Sequence, residues 1–130
     1  MAKKSAANGR TMNPLLRILA LAAIIVVVDL PWLYAVQPYT SAMIRSIQNG
    51  KDAVFRYEGA LVVYLALGYL ATLPKSTMEA FLLGLCVYAV YDFTNYATFA
   101  KYRAEFGVMD SLWGGVLFSI VYQIRMYLNL

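Results

Sequence analysis

The stretch LLRILALAAIIVVVDLPWLYAV, residues 15–36, decides the class of fold for this chain. Its side chains are almost wholly apolar, and its length matches the roughly 20 residues that a helix needs to cross a bilayer. Asn13 and Pro14 come just before it and have the character of an N-cap and a first helical residue, so a first span is predicted over residues 14–36. A cleaved signal peptide is not expected, because the apolar run is too long and no Ala-x-Ala site follows it.

The composition of the whole chain points the same way. Of its 130 residues, 62% are hydrophobic and 14% are charged, and the mean hydropathy is +0.60. Soluble domains average about 45–50% apolar and about 25% charged residues. The net charge of +4 comes with no basic helix or aromatic platform, so the expected partner is the lipid bilayer and not nucleic acid.

The chain contains no histidine and a single cysteine, Cys86. These counts exclude an internal disulfide, a histidine metal site and a hydrolytic triad. Cys86 lies among apolar residues, and we expect it to be buried and inert. We predict neither a cofactor nor a metal site.

Three further apolar segments follow the first, at residues 57–73, 77–99 and 109–128. Ser76 and Glu79 form a capping box that sets the start of the third helix. We therefore predict an all-α bundle of four transmembrane helices over residues 14–130, with a flexible basic tail at residues 1–13. Four spans place both termini on the same side of the membrane, and a slight bias of basic residues favours the cytoplasmic or inner side.

The first loop carries a short amphipathic segment, YTSAMIRSIQNG, at residues 39–50. Its apolar side chains recur at helical spacing with polar side chains opposite, which predicts a short helix lying in the membrane interface. Asn49 and Gly50 would end this helix. Four of its residues are expected to contact lipid headgroups or, alternatively, a partner protein: Met43, Ile44, Arg45 and Ile47.

Three acidic residues fall within or at the edge of the predicted spans: Asp29, Asp92 and Asp110. Asp29 and Asp92 lie about 14 and 15 residues into helices that run in the same direction, which is roughly 21 Å at a rise of 1.5 Å per residue. Asp110 opens the fourth helix, which enters the membrane where the third helix leaves it. All three acids are therefore expected near the membrane face opposite the termini.

A polar face on the third helix surrounds Asp92. In YDFTNYATF, residues 91–99, Asp92 and Asn95 lie on one helical face. A charged side chain facing lipid would cost roughly 3 kcal/mol or more, so this face should point into the bundle. We predict an intramembrane polar cluster of these side chains: Asp29, Trp32, Tyr88, Tyr91, Asp92, Thr94, Asn95, Thr98, Asp110 and Trp113.

This cluster has two interpretations. It is either a hydrogen-bond network that holds the first, third and fourth helices together, or an ion path, proton path or small-ligand site. The first interpretation is preferred, because polar groups left unsatisfied in hydrocarbon are costly. The second is supported by the presence of three acids without a buried base, which invite a proton or a cation. Asp110 is also well placed to cap the fourth helix, and Trp32 and Trp113 suit either interfacial anchoring or inward packing.

Three motifs resemble a family of small predicted membrane proteins known as domain of unknown function 2177: VVDLPWL at residues 27–33, YAVYDFTNYATF at 88–99 and DSLWGG at 110–115. The matching positions are Asp29, Trp32, Tyr91, Asp92, Thr94, Asn95, Ala97, Thr98, Asp110, Trp113 and Gly114. The resemblance runs from the first span to the end of the chain and implies four helices without an assigned activity. Similar proteins occur in bacteria and in large DNA viruses, which implies that a viral relative would lie in the membrane beneath a capsid.

The sequence therefore predicts a non-enzymatic, multi-pass integral membrane protein. The first hypothesis is a structural or assembly component of a membrane, including a viral inner membrane, that associates with itself or with other membrane or capsid proteins. The alternative is a small oligomeric transporter or channel for an ion, a proton or a small solute, which would use the acids and Asn95. An enzyme is not expected, because the sequence contains no catalytic signature.

Overall fold

The computed structural model describes residues 12–130 and folds them into four helices. We number these α1 (Pro14–Ile47), α2 (Tyr57–Leu70), α3 (Thr77–Thr98) and α4 (Ala104–Tyr127). The prediction of an all-α fold is confirmed, since no strand occurs in this part of the chain. Helices α1, α3 and α4 are long and apolar enough to cross a bilayer, and α2 is a shorter apolar helix. The predicted basic tail, residues 1–13, lies almost wholly outside the described residues.

Two helix starts follow the predicted local signals. Before α1, Oδ1 of Asn13 accepts a hydrogen bond from the backbone N of Leu15 at 2.8 Å. Before α3, Oγ of Ser76 accepts from the backbone N of Glu79 at 3.1 Å, and the Glu79 carboxylate accepts from the backbone N of Lys75 at 2.7 Å. These bonds satisfy backbone amides that have no partner inside a helix.

Helix α1 is continuous over 34 residues, which corrects the prediction of a separate interfacial helix in the first loop. The amphipathic segment is helical, but it extends the first span without a break. A small core holds this extension in place, in which Met43 packs with Tyr102 and Phe106. At 1.5 Å per residue α1 is about 51 Å long, and the hydrocarbon core of a bilayer measures about 30 Å, so α1 projects beyond the apolar layer.

The chain runs back and forth between two ends of the bundle. At one end, which we call the terminal end, Nε of Arg17 donates to the backbone O of Leu130. The buried guanidinium of Arg125 donates to the backbone O atoms of Ala71 and Pro74 at 2.7 and 2.8 Å, so the turn between α2 and α3 lies at the terminal end too. Helix α2 therefore returns the chain to this end, although its 14 residues are fewer than the roughly 20 of a typical span.

The opposite end, which we call the loop end, holds residues 48–56 and 99–103. There, Asn49 and Gly50 have positive φ angles of 56° and 91° and turn the chain after α1, as their sequence predicted. Helix α2 then begins at Tyr57 and ends at Leu70, three residues before the predicted end at 73. Residues 71–76 form the turn that leads into α3.

Glycines allow the closest helix contacts. Helix α1 pairs with α2 and α3 pairs with α4, while contacts between α1 and α4 join the two pairs. A Cβ on Gly84 of α3 would collide with the backbone O of Gly114 on α4. A Cβ on Gly68 of α2 would lie 2.6 Å from the backbone O of Ile18 on α1. The absence of a side chain at these glycines lets the helix backbones approach each other closely.

The bundle is apolar both inside and outside. Its core lies between the terminal end and the middle of the bundle. The largest core side chains come from α1 and α4, and smaller contributions come from α2, α3 and the turn between them: Leu21, Ile25, Leu67, Ala71, Ala80, Leu117, Phe118 and Val121. On the outside, Val27, Val62, Met78 and Val90 each expose between 65% and 69% of their surface. An apolar exterior over most of the helix length fits a bundle that is surrounded by lipid.

Cys86 also lies on the outer surface and is exposed, which corrects the expectation that it is buried. Helix α3 turns Gly84 and Asp92 towards the rest of the bundle. Two residues along an α-helix correspond to a rotation of about 200°, so Cys86 points away from the face that carries Gly84.

Candidate functional site

Asp29 of α1 is buried, and both of its carboxylate oxygens accept hydrogen bonds from other helices. Oδ1 accepts from the indole Nε1 of Trp113 on α4 at 2.7 Å. Oδ2 accepts from the phenol of Tyr64 on α2 at 2.6 Å. A single carboxylate thus connects three of the four helices.

Asp110 of α4 is buried as well, and it binds a tryptophan of α1. Its Oδ1 accepts from the indole Nε1 of Trp32 at 2.8 Å. The rings of Trp32 and Trp113 stack with their centroids 5.4 Å apart and their planes inclined by 13°. Each helix therefore supplies a tryptophan to the acid of the other, and both tryptophans pack inward. Because α4 begins at Ala104, Asp110 lies inside the helix and does not cap it, which corrects that part of the prediction.

Asp92 of α3 is fully buried and only partly satisfied by hydrogen bonds. Its Oδ1 accepts from the phenol of Tyr102 at 2.7 Å. Within residues 12–130, no donor reaches its Oδ2. The carboxyl groups of Asp92 and Asp110 are close neighbours. The α3–α4 loop supplies Tyr102, and burial together with the Asp92 carboxylate raises the pKa of its phenol, which therefore stays a donor.

We call the interlocked side chains the aspartate network: Asp29, Trp32, Tyr64, Asp92, Tyr102, Asp110 and Trp113. The sequence predicted the aspartates and tryptophans, but it did not predict Tyr64 or Tyr102. Tyr64 lies in an apolar helix and Tyr102 in a polar loop, so neither belongs to a spaced polar pattern. The one available signal was the tendency of a buried tyrosine hydroxyl to find a hydrogen-bond partner.

The other residues predicted for α3 lie outside the aspartate network. Tyr88 packs against Gly114 where α3 crosses α4. Tyr91 is 63% exposed, and Thr94 and Thr98 are exposed too. The hydroxyl of Thr98 donates to the backbone O of Thr94 at 2.9 Å, so it is satisfied within its own helix.

A cleft of about 490 Å³ opens beside the network towards the loop end. Its lining comes from the C-terminal half of α1, both loops of the loop end, and the adjoining parts of α3 and α4. Most of the lining is apolar or aromatic, and Thr40, Gln48 and the half-buried Asn95 add neutral polar groups. Of the described residues that line the cleft, Asp110 alone is charged.

The sequence predicted headgroup or partner contacts for four residues on the extension of α1: Met43, Ile44, Arg45 and Ile47. Met43 is instead buried in the small core with Tyr102 and Phe106, and it also borders the cleft. Ile44 and Ile47 line the cleft. Arg45 is exposed and forms an ion pair with Asp52 at 2.7 Å, which leaves it as the surface group of the four.

The chemistry of this site is that of buried carboxylates that accept hydrogen bonds from indole and phenol groups. In the part of the chain that the structure describes, no group of three or more His, Cys, Asp or Glu side chains is placed to hold a metal ion. The aspartate network joins α1, α2 and α4 through hydrogen bonds and presents the Asp110 carboxylate to the cleft.

No curated protein and no solved structure matches the chain. A family model described as “Predicted membrane protein (DUF2177)” matches residues 15–126, which take in nearly the whole of the four-helix bundle. The matched region contains every residue of the aspartate network. Together with three helices that are long and apolar enough to span a bilayer, this match shows that the chain is a multi-pass membrane protein and belongs to the DUF2177 family.

Proposed function

We propose that this protein is a non-enzymatic structural component of its membrane, in which the aspartate network holds four helices in one fixed arrangement. The observation that supports this proposal is that indole and phenol donors from elsewhere in the chain bind each of the three buried aspartates. A hydrogen bond between helices in a membrane contributes only about 0.6 kcal/mol on average. An unpaired polar group in hydrocarbon costs several kcal/mol, so the network disfavours every other helix register.

The contact between Arg17 and Leu130 supports a topology with both termini on one side of the membrane, which we take to be the cytoplasmic or inner side. The apolar outer faces of the helices would then contact lipid, further copies of the chain or other membrane proteins. These contacts would make the bundle a rigid building unit of the membrane, with α1 projecting on the opposite side.

A transporter or channel is the second candidate, and one observation favours it. Oδ2 of Asp92 has no donor among residues 12–130 and lies beside Asp110, which lines the cleft. A conducting path would have to continue from there to the terminal end. Leu21, Ile25 and Phe118 fill that part of the bundle and are at most 1% exposed. The dense apolar core therefore favours the structural role for a single copy of the chain.

Ion flux and unfolding, measured on the same reconstituted protein, distinguish the two candidates. In Asp92→Asn, the new amide can still accept from Tyr102 and is nearly the same size as the carboxyl group, so the structural proposal expects a folded variant. It also expects no flux of protons or monovalent cations through either protein. Glu58→Gln, an exposed change of the same kind on α2, is the matched control. Flux that wild type and Glu58→Gln share and that folded Asp92→Asn loses would rule out a purely structural role.

A further inference from the structure

We propose that the cleft beside the aspartate network binds an organic cation with an apolar body, and that the Asp110 carboxylate receives the cationic head. The proposal goes beyond the structural role and does not depend on it. The cleft has a volume of about 490 Å³, which lies within the range of roughly 300–1,000 Å³ that is typical of small-molecule sites.

The charges around the cleft select a cation. Asp110 is 8% exposed and faces the cleft, and no lysine or arginine occurs among the described residues that line it. Asp92 is a close neighbour of Asp110. It is fully buried, and its Oδ2 accepts no hydrogen bond from residues 12–130. A buried carboxylate without a positive partner is costly, and a bound cation offsets that cost.

The remaining lining selects an organic cation over an inorganic one. The aromatic side chains that line the cleft can each offer a ring to a positive charge: Trp32, Tyr91, Phe99, Tyr102 and Phe106. Apolar side chains of α1, including Leu33, Val36 and Ile44, form a wall that suits an alkyl chain. An alkylammonium ion fits this lining, because its charged head can lie at Asp110 among the aromatic rings while its alkyl chain lies along the apolar wall of α1.

Two sources carry this chemistry: a free alkylammonium ion and the choline headgroup of a phospholipid. The cleft lies where α1 leaves the predicted span, so both can reach it. The exposed Arg45 lies on the same extension of α1 as the cleft wall. The experiment therefore includes one arm for each source.

The chain's own fluorescence reports on the cleft, because Trp32 lines the cleft and Trp113, the other tryptophan of the chain, stacks on Trp32. The full chain in dodecyl maltoside is titrated with octyltrimethylammonium below its micelle concentration, and with octanol as the neutral match. We expect a saturable change in tryptophan emission with the cation and none with octanol. Asp110→Asn, which keeps an acceptor for Trp32, should weaken the cation response at least tenfold, and Glu58→Gln should leave it unchanged.

A second variant tests cation binding without altering the aspartate network, in case Asp110→Asn fails to fold. Ile47→Lys places a positive charge on the half-buried wall of the cleft, away from the network, and should weaken cation binding by repulsion. Displacement of the cation by dihexanoylphosphatidylcholine below its micelle concentration would assign the site to a lipid headgroup, and the absence of displacement to a free amine. Equal responses to octanol and the cation, or full binding in Ile47→Lys and folded Asp110→Asn, would overturn the proposal.

Discussion

Asp29 and Asp110 each lie three residues before a tryptophan, and in the structure these two Asp-x-x-Trp pairs meet. Residues three apart share one face of a helix. Because α1 and α4 run in opposite directions, the acid of each helix lies level with the tryptophan of the other. Each motif is weak alone, but together the two motifs form a reciprocal pair of hydrogen bonds, in which the tryptophan of each helix donates to the aspartate of the other.

We expect Trp113→Phe to lower the free energy of unfolding. The substitution keeps an aromatic ring against Trp32 but removes the donor to Oδ1 of Asp29. A buried acceptor left without its donor costs about 1–3 kcal/mol. Unfolding in mixed micelles measures this loss, and Tyr127→Phe, at a position that is 87% exposed, should stay within about 0.5 kcal/mol of wild type. If the two variants unfold alike, the Trp113 bond does not stabilise the bundle.

The sequence predicted the three acids, and their convergence, from depth alone. The capping role of Asp110 was predicted wrongly because the fourth helix was expected to begin at residue 109, just after Gly107. Gly107 instead lies inside α4, where a Cβ would approach the ring of Phe93 to 3.0 Å. A glycine can be needed because an aromatic ring packs against it, or because it ends a helix. The sequence does not distinguish these two cases, and only the packing does.

At the scale of elements, the main difference from the sequence prediction is the length of α1. The prolines at 31 and 38 each remove one backbone hydrogen bond from the helix, yet α1 continues through both. The packing of Met43 with Tyr102 and Phe106 supports the helix beyond the second proline. Such a contact joins segments about sixty residues apart in sequence, and local patterns do not report it.

The contact between α3 and α4 provides a test at the same scale. We expect Gly84→Ala to separate these helices, because the new methyl group would overlap the backbone O of Gly114. Gly59→Ala is the matched control, since a Cβ on Gly59 meets nothing within 4 Å. Gly84→Ala should cost about 1–3 kcal/mol, as overpacked cores do, while the control should be neutral or slightly stabilising. Thermal unfolding in detergent measures both, and equal melting temperatures would contradict the close crossing.

For the molecule as a whole, hydropathy was sufficient to predict an all-α membrane bundle, and the family match agrees. Helix pairing was harder to predict, because α2 and α3 are adjacent in sequence but pair with α1 and α4 respectively. Burial of Gly68 and Gly84 decides that pairing, and apolar composition does not reveal it. A place in a viral membrane follows from the resemblance alone and stays a prediction.

The topology can be tested on the intact membrane. In a Cys86→Ser background, a cysteine at Lys75 lies at the terminal end and one at Asn49 at the loop end, and both positions are exposed. We expect a membrane-impermeant maleimide to label these two positions from opposite sides of sealed vesicles. Labelling of a cysteine at Met12 should follow that of Lys75→Cys. Reaction of the 49 and 75 positions from the same side would mean that the short helix α2 does not cross the membrane.

The outward position of Cys86 lets the unaltered protein report how its copies meet. In a lone bundle this thiol faces lipid, whereas two copies that pack through the outer face of α3 bring two thiols together. A disulfide needs Cα atoms about 4.4–6.8 Å apart, so mild oxidation would trap only that one geometry. A covalent dimer on a non-reducing gel would identify α3 as the self-association surface, and a monomer would direct attention to the outer faces of the other helices.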